Sequence, residues 1–129
     1  GANFTFPGGG FYHATKYAVV GLSETLRGEL AGTGVSVSVL CPSFFQTNIL
    51  EAGRGLPTRS RKLAETLMRK SPIDADDVAR IALDGLERGD FYVLPHAEGR
   101  ALWKLKRLAP GGFVRGVPRI LKRVQAWAR

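Results

Sequence analysis

Only two segments of this chain read as strands, and they lie far apart. Val35-Ser36-Val37-Ser38-Val39-Leu40-Cys41 alternates β-branched and small residues and stops at Pro42. Phe91-Tyr92-Val93-Leu94 is a short apolar run closed by Pro95. Helical patterns lie before and between them, which is the order of parallel β-α-β packing. Parallel sheets are covered by helices on both faces and have several strands, so two strands do not make a viable core. The expectation is half of an α/β domain, with further strands upstream or supplied by another chain.

The helices have readable limits. Residues 1–11 read as a loop punctuated by Pro7-Gly8-Gly9-Gly10. Ala14–Leu30 reads as a helix with Ala18, Leu22, Leu26 and Leu30 four apart, ended by Gly32 and Gly34. Val19 and Val20 widen its stripe, so burial on two sides is expected, by its own sheet and by something else. After an irregular stretch, Thr58–Lys70 reads as a helix with Leu63, Leu67 and Met68 on one face and basic residues elsewhere. Asp74 is placed to cap the next helix, with Asp76 and Asp77 in its first turn. Val78, Ile81, Ala82, Gly85 and Leu86 form its apolar stripe, and Gly89 stops it.

Charge divides the chain. Residues 1–95 hold ten basic and ten acidic side chains, whereas residues 96–129 hold nine basic residues and only Glu98. The net charge of +8 therefore belongs to the tail. Within it, Ala101–Leu108 and Val117–Trp127 mix apolar and basic residues, with Pro110-Gly111-Gly112 between them. Three readings stay open: a solvated helix packed over the cleft or a partner subunit, an anionic membrane surface, or nucleic acid. The last is disfavoured because no base-reading motif accompanies the charge. No run reaches the ~18 apolar residues of a membrane span, and no secretory signal is visible. The single cysteine, Cys41, cannot form an internal disulfide, which favours a reducing, cytoplasmic compartment. With only two histidines beside it, no metal-ligand spacing appears.

Tyr12 and Lys16, four apart at the start of a helix, share one face. A free phenol loses its proton near pH 10, too high for efficient proton exchange at neutrality. A nearby ammonium favours the phenolate. By spacing His13 points away from that pair. His96 follows the last strand, where it could line a substrate cleft. Cys41, ending an apolar strand, reads as a small buried hydrophobe rather than a nucleophile. Gly8-Gly9-Gly10 lacks the Lys-Ser/Thr ending of a P-loop and reads as a flexible loop.

The string from Phe11-Tyr12-His13-Ala14-Thr15-Lys16 to Leu30 resembles the active-site helix of short-chain dehydrogenase/reductases, with Tyr12 and Lys16 on the family's Tyr-x-x-x-Lys. The strand ending in Cys41-Pro42 and leading to Ser43-Phe44-Phe45-Gln46-Thr47 resembles the segment after the family's sixth strand, where Pro-Gly is followed by a Thr. Here Ser43 stands in place of the Gly. The resemblance covers residues 1–95.

It implies the C-terminal part of a doubly wound, Rossmann-like domain over residues 1–95, followed by the basic amphipathic tail, residues 96–129. It implies an NAD- or NADP-dependent oxidoreductase acting between a carbonyl and a secondary alcohol. Tyr12 would be the general acid/base. Lys16 would assist it and bind the nicotinamide ribose. Pro42, the backbone near Phe45, and Thr47 would contact the cofactor. Residues 48–72 would be the substrate lid, and the 14–30 helix would carry a homo-oligomer contact. The family's Gly-rich phosphate turn, catalytic Ser and active-site Asn do not occur here, so the chain is expected to be the C-terminal half of a longer enzyme. The alternative is a non-catalytic, surface-associated module acting through its tail, which could sit peripherally on a membrane.

Overall fold

The computed structural model describes residues 10–47, 58–116 and 119. In chain order the elements are α1 (Gly10–Glu29), β1 (Val39–Leu40), α2 (Thr58–Arg69), α3 (Ala75–Glu87), β2 (Tyr92–Val93) and α4 (Ala97–Leu108). A further helical stretch runs over residues 110–116. The two strands pair in parallel, Val39 opposite Tyr92 and Leu40 opposite Val93. The Val39 amide donates to the Phe91 carbonyl at 2.7 Å and the Cys41 amide to the Val93 carbonyl at 2.9 Å. β1 is shorter than its sequence pattern, which ran from residue 35. A ladder extends only as far as its partner does, and among the described residues β1 has β2 alone beside it.

Successive strand residues face opposite sides of a sheet, and Tyr92 and Val93 show what each side carries. Val93, buried, meets α3 so closely that a Cβ on Gly85 would come within 2.6 Å of its Cγ2. Tyr92 lies on the side of α1 and α4. Its hydroxyl donates to the Glu24 carboxylate of α1, and its ring centroid is 5.2 Å from that of Trp103 on α4. The sheet is thus covered on both faces, as a parallel sheet requires.

α3 forms where its capping signals put it. Asp74 accepts from the Asp77 amide at 2.9 Å, and the Asp77 carboxylate accepts from the Asp74 amide at 3.4 Å, a reciprocal capping box. Gly89 then turns the chain at φ +74°, a conformation that costs other residues about 1–2 kcal/mol.

α1 differs from its expected pattern in two ways. It begins at Gly10, inside the stretch expected as a loop to residue 11, so Tyr12 sits within its first turn. Its inward stripe is also different. His13 is buried and Val20, Ser23 and Leu30 are half-buried, whereas Leu22 and Leu26 are exposed. The side facing the strands is held by polar arms instead of a leucine row. Arg27 donates to the Val37 carbonyl at 2.8 Å and to the Gly89 carbonyl at 3.0 Å, with its guanidinium 5.6 Å from the Phe91 ring centroid.

The first tail helix, α4, packs onto this body. Lys106 Nζ lies 4.4 Å from the Tyr17 ring centroid, and burial pushes its ammonium below its usual range. Arg107 stacks over Trp103 and Tyr92 and donates to the Tyr92 hydroxyl at 2.9 Å. The break after α4 falls at Ala109, and Pro110 opens the next helical turn rather than separating two segments. Proline suits a first helical position, where its missing N–H costs nothing. Val117–Trp127 lies outside the described residues, Arg119 apart. No described helix is long and apolar enough to cross a membrane.

Candidate active site

The fold fixes which end of the sheet can hold chemistry. Arg27, near the C-terminus of α1, grips the carbonyls of Val37 and Gly89, which lie just before β1 and β2. α1 therefore runs antiparallel to the strands, and its N-terminal turn lies toward their carboxyl ends. That is the end where open parallel sheets bind ligands. Three pieces of chain are tied together there, residues 41–47 leaving β1, residues 71–73 before α3 and residues 94–96 leaving β2, and the first turns of α1 lie toward the same end.

Tyr12 and Lys16 share one face of α1 and are both solvent-exposed, Tyr12 at 46%. Lys16 Nζ is 5.6 Å from the Tyr12 ring centroid. The phenol and the ammonium are side by side and open to an incoming molecule. His13, one residue on, is buried, and its ring stays beside Tyr12 rather than pointing away from it. Its ring packs edge-on to Tyr12 at 5.5 Å between centroids, bracing the phenol's ring.

Pro42, Ser43, Phe44 and Phe45 are half-buried as the chain leaves β1, while Gln46 and Thr47 are exposed. Cys41 ahead of them is buried, and burial pushes its thiol up, so it stays protonated at neutrality and is no nucleophile. Residues 48–57 of the expected substrate lid, with Leu50 and Leu56, lie outside the described residues. In the remainder of that span, Met68 is buried and Leu67 exposed.

The residue that sequence reasoning undervalued is His96. It is 2% exposed. Its Nδ1 accepts from the Ser43 amide at 3.2 Å, and its Nε2 lies 3.4 Å from Ser71 Oγ. The Phe45 ring lies alongside, 6.2 Å away between centroids. One side chain thus ties together the three segments. The available signal was slight: a histidine directly after the proline that closes a strand. Among the described residues, no group of three His, Cys, Asp or Glu side chains is arranged to hold a metal ion.

Comparison with known proteins identifies the family. Residues 1–55 match the short chain dehydrogenase family. A solved short-chain dehydrogenase/reductase from Burkholderia phymatum, in complex with NAD, superimposes on 82% of this chain with a TM-score of 0.70 and 30% identity. This chain belongs to the short-chain dehydrogenase/reductase family. Among family relatives, 1-deoxy-11-beta-hydroxypentalenate dehydrogenase of Streptomyces exfoliatus is 32% identical over 93 residues, 72% of this chain and 31% of that protein. The CLA biosynthesis dehydrogenase/reductase of Lactiplantibacillus plantarum is 28% identical over 127 residues, 82% of this chain and 44% of that protein. The chain thus spans less than half the length of these family members. The α/β architecture is shared with the solved family member, whose own length it covers by 43%.

Proposed function

We propose that this chain supplies the proton-transfer side of an NAD(P)-dependent oxidoreductase that interconverts a small carbonyl compound and a secondary alcohol. The observation that carries the reading is the exposed Tyr12–Lys16 pair at the ligand-binding end of the sheet. A nicotinamide held by these residues would supply the hydride chemistry between carbonyl and alcohol, leaving the proton to this chain's own side chains. Tyr12 gives its phenolic proton to the carbonyl oxygen as the alcohol forms, and recovers it in the reverse direction. Lys16 places a positive charge beside the phenolate so produced and donates to the cofactor ribose. Pro42, Phe45 and Thr47 hold the nicotinamide end.

The residues present suit such a polar guest. Ser43 Oγ is buried and has no hydrogen-bond partner among the described residues. A buried hydroxyl in that state has an unmet bonding need, and the amide-bearing end of a cofactor meets it. The test is Tyr12→Phe in the whole protein. Turnover should fall about 10²–10⁴-fold, the usual contribution of a positioned acid/base, while cofactor binding measured by fluorescence stays near wild type. Retained turnover would refute the assignment.

A second reading concerns the tail. Leu105, Leu108 and Val114 are exposed beside the exposed Lys104 and Arg115. Apolar side chains flanked by cations match an anionic lipid surface. This face would hold the enzyme peripherally on such a membrane. Co-sedimentation with vesicles containing phosphatidylserine should show binding at low salt that high salt weakens. No binding at low salt removes this reading. For the outward side of α1, with Val19, Leu22 and Leu26, we propose a second copy of the same protein as the cover.

A further inference from the structure

His96 occupies the N-cap position of α4 with extended backbone, φ −87° and ψ 134°, yet its side chain makes no capping bond to that helix. Its ring is spent elsewhere, and the direction of each hydrogen bond can be worked out. The Ser43 amide can only donate, so His96 Nδ1 must accept and carries no proton. Ser71 Oγ donates its proton to the Ile73 carbonyl at 2.7 Å. Its oxygen accepts from the Ile73 amide at 3.4 Å and has a second lone pair to accept from His96 Nε2 at 3.4 Å. The set is self-consistent for one species: a neutral imidazole with its proton on Nε2. Protonating Nδ1 as well would set two donors against each other.

We infer that His96 is a positioning residue. As the neutral Nε2–H tautomer it fastens the Pro42–Thr47 segment to the 71–73 turn and fixes the backbone that receives the nicotinamide. Burial at 2% shields the tie from water, and the Phe45 ring closes one side of it. This inference rests on reading the Pro42–Thr47 segment as a cofactor contact.

The experiment uses the whole protein and three variants. His96→Asn keeps an acceptor near the Nδ1 position, His96→Leu removes it, and Ser71→Ala leaves Nδ1 and its acceptor in place while removing the Nε2 partner together with that hydroxyl's bonds to Ile73. Nitrogen NMR of the wild-type imidazole should show an unprotonated Nδ1 and a protonated Nε2. Exchange of the Ser43 amide should speed up about tenfold in His96→Leu, as expected for one buried hydrogen bond. His96→Asn should recover most of that protection, and Ser71→Ala should lose a smaller part of it. The KM for the nicotinamide cofactor should rise about tenfold in His96→Leu with a smaller fall in kcat, and His96→Asn should restore it.

A proton on Nδ1 overturns the inference. So does unchanged Ser43 exchange in His96→Leu, and both outcomes leave the cofactor reading standing. Lost protection with an unchanged cofactor KM overturns it differently: the tie exists, but the segment does not bear the cofactor. If His96→Leu fails to fold, Ser71→Ala decides the matter, since unaltered Ser43 exchange there also counts against the tie.

Discussion

Helices α1 and α3 lie on opposite faces of β2, yet they are specified in opposite ways. α3 draws on its immediate sequence: an Asp74–Asp77 capping box, a glycine where the strand comes closest, and a left-handed glycine at its end. α1 has no acidic residue in its first turn. Three of its hydroxyls, on Thr15, Ser23 and Thr25, bond back to carbonyls of the preceding turn, a habit that does little for a helix. Its attachments are long polar arms, Glu24 and Arg27, reaching the strands and the segments before them. The capping box and the two glycines of α3 are explained by holding α3 in place. Much in α1 is not, and that surplus is what function draws on.

The comparison predicts that changes in α1 are felt as activity and changes in α3 as stability. The largest effect expected is from Lys16→Met. Turnover should drop about 10²-fold or more, while the urea midpoint stays within the range of an exposed substitution, about 0.5 kcal/mol. An equal loss of stability would erase the contrast between the helices.

Next comes Gly85→Ala in α3. Alanine suits a helix better than glycine by about 1 kcal/mol, but here its Cβ would sit 2.6 Å from Val93 Cγ2. Val93 is buried and β-branched, so it has little room to yield. Overpacking of about 1–3 kcal/mol should outweigh the propensity gain and lower the denaturation midpoint. Adding Val93→Ala should make Gly85→Ala stabilising, and a double-mutant cycle would read the coupling. Asp74→Ala should cost about 1 kcal/mol, the ordinary value of a lost N-cap, with no change in the cofactor KM. Smaller still is Leu22→Arg on the outward side of α1. Its stability cost should stay within about 0.5 kcal/mol, while analytical ultracentrifugation should show a lower assembly state. An unchanged mass would remove α1 as the proposed contact.

The same contrast explains what could be read in advance. The ends of α3 were legible because caps and stops are local, set by Asp74, Asp77 and Gly89 and by nothing distant. The parallel order of the strands followed from the helix between them. The length of β1 did not, because a ladder ends where its partner ends, and β2 is a remote segment. Of the expected stripe on α1, Leu30 and the flanking Val20 are half-buried while Ala18, Leu22 and Leu26 face outward, since periodicity finds an apolar row but not which part of it meets the strands. The real anchor, Arg27, binds carbonyls that no periodicity encodes. At the site, Tyr12 and Lys16 were legible because four-residue spacing is a property of one helix. The His96 tie was not, because Ser43, Ser71 and His96 become neighbours only after three separate segments converge.

The smallest prediction tests whether polar arms do fasten α1. Tyr92 donates to the Glu24 carboxylate, and its phenol is pushed above its ordinary value near 10, first by burial and then by that hydrogen bond, with Arg107 pulling the other way. The folded chain therefore holds this proton more tightly than the unfolded chain does. The stabilisation is fully present below about pH 10 and is lost as pH rises through the raised value. Lys106 has the opposite sign in the same window. Its ammonium is pushed down, so folding favours the neutral amine and gains as pH climbs toward the usual lysine range. The wild-type midpoint alone would mix the two. The difference between wild type and Tyr92→Phe isolates the phenol, and it should shrink steadily from pH 9 to pH 11. A difference that stays constant with pH would mean that the Tyr92–Glu24 bond contributes nothing to holding α1, and would shift the anchoring of that helix onto Arg27.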